Sequence, residues 1–104
     1  MFLKNKERDI AIIALFLLSG VRIAEVVNLD VADLNVETMR LSVTRKDGKK
    51  DNVPIAKSAK PYLVTYLELR KQNTQTESPA LFLRYYKQNY DRISTDAITS
   101  LDTL

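Results

Sequence analysis

The chain has 104 residues, of which 45% are hydrophobic, so it can form one small domain with a buried core but not two. It contains neither cysteine nor histidine, which excludes disulfides, thiol nucleophiles, thiolate or imidazole metal sites and serine–histidine catalysis within this chain. Any proton transfer must therefore use carboxylates, lysine, tyrosine or groups outside these residues.

The positive charge is concentrated in one segment. Residues 40–60 hold seven lysine or arginine side chains and two aspartates, whereas the remainder of the chain is nearly neutral. This distribution is typical of a local contact with a polyanion. A solvated, lysine-rich turn would carry the same charge, and charge alone leaves both interpretations open.

Apolar periodicity predicts two helices in the first part of the chain. The first is a buried helix over residues 6–18, ended by Ser19-Gly20, and the second is a short helix over residues 22–28. The nine-residue apolar run at 10–18 is too short to span a bilayer, and no convincing signal-peptide cleavage site follows it. We therefore expect a cytoplasmic protein.

The spacing of apolar residues then changes to the two-residue period of β-strands, which predicts a small sheet. Alternation over residues 39–44 predicts a half-buried strand, Asp47-Gly48 predicts a reverse turn, and residues 52–55 predict a returning strand. Pro54 places that strand at an edge or at its end, and residues 34–36 are a candidate third strand.

The last part of the chain is predicted to be mainly helical. An amphipathic helix is expected over residues 59–72, a polar loop over 73–79, a short apolar anchor at 80–83 and a final helix from Ser94 that is cut at Leu104. The predicted fold class is therefore α+β, mainly helical, with a two- to three-stranded antiparallel sheet.

One group of residues stands out as candidate chemistry: Ser19-Gly20-Val21-Arg22-Ile23-Ala24-Glu25. Arg22 begins a helix, where unpaired backbone N–H groups and a guanidinium make a natural anion site. Glu25 lies on the same helix face and is expected to hold that guanidinium. Alone, this pattern is more often a surface salt bridge. Lys46, however, follows at the edge of a basic hairpin, and such a ribbon can place a lysine against a nucleic-acid backbone.

In this order and spacing, the residues resemble the catalytic domain of the tyrosine recombinases, or phage-integrase family, and most closely the Xer-type recombinases. The resemblance runs over residues 5–61 and more weakly to the end of the chain. The motifs that carry it are the arginine box at 19–25 with Leu29, the pair Asp33-Leu34, the hairpin Lys46-Asp47-Gly48-Lys49, and Val53-Pro54-Ile55.

The resemblance implies site-specific DNA recombination, in which strands are cleaved and rejoined through a 3′-phosphotyrosine intermediate without metal or other cofactor. It implies that Arg22 grips the scissile phosphate, that Lys46 protonates the leaving 5′ oxygen, and that Glu25 supports the site. The expected partner is double-stranded DNA, on which the complete protein would act as a tetramer bound to two sites.

The cationic hairpin adds the expected DNA-binding residues Arg45, Lys49 and Lys50. Asp47 and Asp51 stand where relatives often have glycine and arginine, respectively. The negative charge of Asp47 next to Lys46 leaves Lys49 and Lys50 as alternatives for the catalytic lysine.

The family's second catalytic box and its nucleophilic tyrosine would follow Leu104. Tyr85, Tyr86 and Tyr90 precede that box, so we expect them to be packing or surface residues. Residues 1–104 are then one domain, the first part of a catalytic domain, monomeric without DNA, in contact with DNA but catalytically incomplete. The longer protein to which they would belong is termed the parent protein below.

The main alternative is a non-enzymatic DNA-binding module, such as a transcription regulator in which a helical domain carries a basic β-wing. This alternative explains the charge and the hairpin equally well. It does not explain the placement of Arg22 and Glu25. A protein-interaction domain with an incidental basic loop is a more distant third.

Overall fold

A computed structural model describes residues 5–73, 78–86 and 89–99 of the chain. In these residues, helices and two small antiparallel sheets alternate along the sequence. The helices are α1 (Asn5–Ser19), α2 (Ile23–Val27), α3 (Lys60–Asn73) and α4 (Thr95–Thr99). The strands are β1 (Leu34–Asn35), β2 (Arg40–Thr44), β3 (Lys50–Pro54), β4 (Leu83–Tyr86) and β5 (Asn89–Arg92). Short 3₁₀ turns lie at Val31–Asp33 and Lys57–Ala59.

Helix α1 is the buried helix that the N-terminal apolar run predicts. Ile12 and Leu15 on its inner face are completely buried. The helix ends at Gly20, whose N–H donates to the carbonyl of Phe16 at 3.2 Å and whose φ is +75°. Glycine adopts this left-handed conformation without a side-chain clash, so the chain turns sharply into α2.

The first sheet has the strand order β1-β2-β3. In its register Leu41 lies opposite Val53, and Thr44 lies opposite Lys50. Leu41 and Val43 of β2 are buried and alternate with more exposed residues, as the period-two pattern predicts. Pro54 is the last residue of β3, which is an edge strand, so its missing N–H breaks no ladder in the interior of the sheet.

The core forms where α1 and α3 pack against the apolar segment at 80–83. The hydroxyl of buried Tyr66 donates to the Leu81 carbonyl at 2.8 Å and accepts from the Leu83 N–H at 3.2 Å. Its ring lies beside Phe82, with the ring centroids 5.2 Å apart. Burial raises the pKa of Tyr66 to about 12. One side chain of α3 thus satisfies two backbone groups of the segment that follows it.

Two arginines bind the same segment from other directions. Arg70 of α3 donates to the carbonyls of Ser78 and Ala80, at 2.9 Å and 2.6 Å from Nη2. Arg8 of α1 donates from Nη1 to the Leu83 carbonyl at 3.2 Å. Because carbonyls in segment 78–83 accept hydrogen bonds from side chains of both α1 and α3, the segment is attached to both helices.

The predicted α+β class with its three-stranded sheet is confirmed, and the predicted apolar anchor is buried. The sequence predicted that the last helix follows the apolar anchor directly, and this was wrong. The antiparallel hairpin of β4 and β5 lies between the anchor and that helix. These strands have neither a glycine or proline at their turn nor a clear apolar alternation, so the usual hairpin signals are missing.

Tyr85 and Tyr86 lie in β4 and Tyr90 lies in β5; of these three side chains, those of Tyr85 and Tyr86 lie outside the described part of the structure. Tyr85 pairs with Tyr90 across the two strands, and partly buried Tyr90 packs against the core. Most of the predicted polar loop, at 74–77, and the end of the last helix, at 100–104, lie outside the described residues. In the described part of the chain, no helix has the length and apolar character required to cross a membrane.

Candidate functional site

Arg22 occupies the N-cap position of α2, with an extended backbone at φ −89° and ψ 158°. Its backbone N–H donates to the Glu25 carboxylate at 2.9 Å, so the glutamate at the third helical position satisfies the N–H of the cap residue. Its guanidinium is exposed and makes no hydrogen bond or ion pair with the other described residues. Arg22 therefore presents an unpaired cation at the start of a helix.

The Glu25 carboxylate is buried between α2 and the hairpin that joins β2 to β3. Besides the Arg22 N–H, it accepts two bonds from Nη1 of Arg45, at 3.0 Å and 2.9 Å. The sequence predicted that Glu25 would hold the Arg22 guanidinium, and this contact does not form. The carboxylate accepts the backbone N–H of the cap residue instead, and the arginine that bonds to it is Arg45, 20 positions later and just after β2.

The charge state of Glu25 follows from opposing effects. Burial acts to raise its pKa, but the hydrogen bond from the Arg22 N–H, the bonds from Arg45 and the two positive charges outweigh burial. The pKa of Glu25 is lowered, so this carboxylate is ionised at neutral pH. Hydrogen bonds to Glu25 and Asp51 raise the pKa of Arg45 in turn.

Arg45 connects three elements. Its Nη1 bonds to Glu25 of α2, and its Nε donates to Asp51 of β3 at 3.0 Å. Arg45 itself directly follows β2. This predicted DNA-binding residue therefore has its guanidinium engaged by two carboxylates, and we refer to Glu25, Arg45 and Asp51 as the carboxylate–arginine triad.

Lys46 lies in the tight turn that closes the hairpin. The Gly48 N–H donates to the Arg45 carbonyl at 2.9 Å, and the Arg45 N–H donates to the Lys49 carbonyl at 2.8 Å. Gly48 has a φ of +85°, and the Asp47 side chain accepts from the Lys49 N–H at 3.0 Å. The Asp-Gly turn predicted from the sequence thus leaves Lys46 exposed, with no ammonium contact in the described part of the chain.

Arg22 and Lys46 line the same surface groove, whose volume is about 890 Å³. Arg22 lies at the start of α2 and Lys46 lies in the hairpin, so two residues 24 positions apart in sequence line the same surface. The groove is lined by Arg22, Ala24, Glu25, Asn28, Thr44, Arg45, Lys46, Asp47 and Asp51.

The other two predicted DNA-binding lysines lie outside the lining of this groove. The Lys50 ammonium pairs with the Asp33 carboxylate at 3.2 Å. Lys49 is exposed, and its side chain makes no contact with the other described residues. Among residues 5–73, 78–86 and 89–99, no three acidic side chains form a group able to hold a metal ion.

Sequence reasoning missed Arg92, which supports α2 from the far end of the chain. Its Nη1 donates to the carbonyls of Val27 and Leu29, at 2.8 Å and 2.9 Å, and its Nη2 pairs with Asp30. These carbonyls lie at and just beyond the C-terminus of α2, where a cation is favourable. Nothing local predicts this contact, because it joins residues more than 60 positions apart.

Known proteins resemble this chain in sequence and in fold. The family model described as the phage integrase family matches residues 2–101. The tyrosine recombinases XerS of Streptococcus pneumoniae strains Hungary19A-6 and CGSP14 are each 52% identical over 102 residues, which is 96% of this chain. The crystal structure of XerA recombinase superposes with a TM-score of 0.79 at 28% identity, covering 93% of this chain.

The relatives are considerably longer than this chain. The chain spans 29% of the length of each of those XerS proteins and 34% of the XerA chain. The matches therefore concern one part of those longer relatives.

Proposed function

Because the chain belongs to the phage integrase family, we propose that it is the part of a recombinase catalytic domain that supplies the first arginine and the lysine of the active site. In the parent protein these residues would serve site-specific DNA recombination. The observation that carries the proposal is that Arg22 and Lys46 line one groove while both cations lack partners in the described residues.

The two cations fit complementary steps of phosphoryl transfer. A deprotonated tyrosine oxygen from outside residues 1–104 attacks the phosphorus, the P–O5′ bond breaks, and the phosphate then links the tyrosine to the 3′ end of the cleaved strand. Arg22 stabilises the charge that develops on the phosphate, a task suited to a planar and permanently charged guanidinium. Lys46 gives its proton to the departing 5′ oxygen. The step needs no metal or cofactor.

Glu25 supports this site through the backbone rather than through the side chain of Arg22. By accepting the Arg22 N–H, the carboxylate fixes the residue from which the guanidinium projects. The ionised carboxylate also partly offsets the charge of the two arginines. The groove is lined by three basic and three acidic side chains, whose formal charges balance.

Lys46 is preferred over the other two candidates for the catalytic lysine. Only Lys46 of the three lines the groove with Arg22, whereas the Lys50 ammonium is turned to Asp33. Lys49 and Lys50 are assigned to contacts with the phosphate backbone of double-stranded DNA outside the groove. The parent is proposed to act in the cytoplasm, as a tetramer on two DNA sites.

The test compares Arg22→Ala with Arg40→Ala in the parent protein, using covalent protein–DNA complex and DNA affinity as separate readouts. Arg40 is an exposed arginine at the far end of β2 and does not line the groove. Loss of a group that stabilises transition-state charge typically costs about 10²–10³ in rate. We expect that loss for Arg22→Ala only, with DNA affinity similar in the two variants, because ground-state binding is spread over many phosphates.

The isolated 104-residue chain provides a second comparison. It should bind DNA and yield no covalent complex, since the nucleophile is supplied from outside it. If Arg22→Ala in the parent weakens binding and forms covalent complex at the normal rate, Arg22 is a DNA anchor and not a catalytic residue. If the unsubstituted parent forms no covalent complex with DNA, the non-enzymatic DNA-binding module is the better description.

A further inference from the structure

We propose that Arg45 is a positioning residue, which docks the hairpin that carries Lys46 onto the helix that carries Arg22. The inference rests on the proposed function, since it concerns how the two cations of the groove are held together. It assigns to Arg45 a role different from the DNA contact expected from its charge.

The contacts of the triad join the two halves of the groove. Arg45 bonds through Nη1 to both oxygens of Glu25, and through Nε to Asp51 at 3.0 Å. Glu25 in turn accepts the backbone N–H of Arg22. A chain of hydrogen bonds therefore runs from the backbone of Arg22 to the residue next to Lys46.

The position of Arg45 determines that of Lys46, because the two residues are neighbours in the same tight turn. Arg45 is the first residue of the turn, and its N–H and carbonyl bond to Lys49 and Gly48, respectively. Because Lys46 follows by one peptide bond within this closed loop, a shift of Arg45 away from Glu25 would move the lysine out of the groove. The turn projects beyond the last strand pair of the sheet, Thr44 with Lys50, so the contact between Arg45 and Glu25 helps to fix where its tip lies.

The electrostatics argue against Arg45 as a phosphate contact. In the triad, one guanidinium is shared by two carboxylates, so the group as a whole carries a net negative charge. Moving Arg45 onto a phosphate would leave the Glu25 carboxylate buried without its cation. Lys49, which has no such partner among the described residues, is the better candidate for DNA on this turn.

The geometry also explains why arginine is required here. Two different nitrogens, Nη1 and Nε, reach carboxylates that lie on separate elements. A lysine ammonium is a single point charge and cannot hold both carboxylates in this fork geometry. Arg45→Lys therefore keeps the charge of the hairpin and removes the bridge, which separates positioning from charge.

The experiment uses the parent protein and a duplex DNA containing its cleavage site, with Arg45→Lys, Arg45→Gln, Lys46→Ala and Lys49→Gln as variants. Two quantities are measured: DNA affinity as a function of salt, and the single-turnover cleavage rate at saturating DNA. We expect both Arg45 variants to lose about tenfold or more in rate, approaching Lys46→Ala. Their salt dependence should match that of the unsubstituted protein, whereas Lys49→Gln should lower the slope by about 0.9.

Asp51→Asn keeps the test decisive if an Arg45 variant does not fold. The Asp51 side chain is largely exposed, so this change removes the negative charge from the outer contact of the triad and leaves Glu25 in place. The proposal predicts a slower cleavage step at saturating DNA. A phosphate-contacting Arg45 predicts the opposite pattern, tighter binding and a normal rate, because the change would free the guanidinium.

The outcomes separate the two proposals. If Lys46→Ala is slow while Arg45→Lys and Asp51→Asn cleave normally, Arg45 is not a positioning residue and the proposed function stands. If Arg45→Gln lowers the salt slope as Lys49→Gln does and cleaves normally at saturation, Arg45 contacts DNA. If Lys46→Ala itself cleaves at the normal rate, the proposed function is overturned, and the positioning role falls with it.

Discussion

Replacement of Tyr66 by phenylalanine removes one oxygen atom from the core and tests how the 80–83 segment is held. The Tyr66 hydroxyl satisfies the Leu81 carbonyl and the Leu83 N–H, and the ring remains able to pack on Phe82 after the change. Tyr66→Phe therefore leaves two buried backbone groups without this partner. At about 1–3 kcal/mol for each orphaned group, partly offset because no hydroxyl is buried, we expect a loss of about 2–4 kcal/mol in the free energy of unfolding.

The matched control is Tyr62→Phe, which makes the same chemical change one helical turn earlier in α3. Tyr62 is 48% exposed, whereas Tyr66 is 1% exposed. Urea denaturation of the 104-residue chain, followed by circular dichroism, should show a change of less than about 0.5 kcal/mol for Tyr62→Phe. If the two variants lose equal stability, the hydroxyl of Tyr66 does not fasten the segment.

The pKa of Tyr66 gives an independent readout of the same contact. Because burial raises the pKa to about 12, the neutral hydroxyl contributes stability that is fully present below the ordinary tyrosine pKa of about 10. That contribution is lost as the pH rises from there through 12. Tyrosinate absorbance should show a late-titrating component from Tyr66, which disappears in Tyr66→Phe. A titration unchanged by the substitution would contradict the assignment.

Two further predictions concern the candidate site. Lys49→Gln in the 104-residue chain should lower the slope of log affinity against log salt by about 0.9. Lys50→Gln should lower that slope less, because Asp33 already pairs with Lys50. Equal slopes for both variants and the unsubstituted chain would place the DNA contact elsewhere. The lowered pKa of Glu25 means that its ionised form contributes stability above the ordinary glutamate pKa of about 4.3, and this contribution is lost as the pH falls below that value. Urea midpoints measured across that range should fall with pH more steeply for the unsubstituted chain than for Glu25→Gln, and parallel curves would refute the paired state of Glu25.

The parts of the fold that the sequence predicts are those governed by local periodicity. The apolar run of α1, the alternation of β2 and the Asp-Gly turn each indicate an element without knowledge of its neighbours. Arg22 and Lys46 were likewise identified from short motifs and their order. Both cations line one groove in the structure.

The parts that could not be predicted depend on contacts between distant residues. The bond from Arg45 to Glu25 requires the hairpin to fold back on α2, and the bonds from Arg92 require β5 to reach the end of that helix. A basic side chain looks the same in sequence whether it meets a carboxylate, a backbone carbonyl or a phosphate. For this reason the sequence alone groups Arg45 with Lys49 and Lys50 as a DNA-binding residue.

The most direct test of the proposed division of labour uses a DNA substrate in which sulfur replaces the bridging 5′ oxygen at the cleavage site. A thiolate leaves without being protonated, so this substrate needs no general acid but still needs stabilisation of the phosphate charge. In the parent protein, Lys46→Ala should cleave the sulfur substrate at close to the normal rate, and Arg22→Ala should remain slow on both substrates. Equal rescue of the two variants, or rescue of neither, would contradict the roles assigned to Lys46 and Arg22.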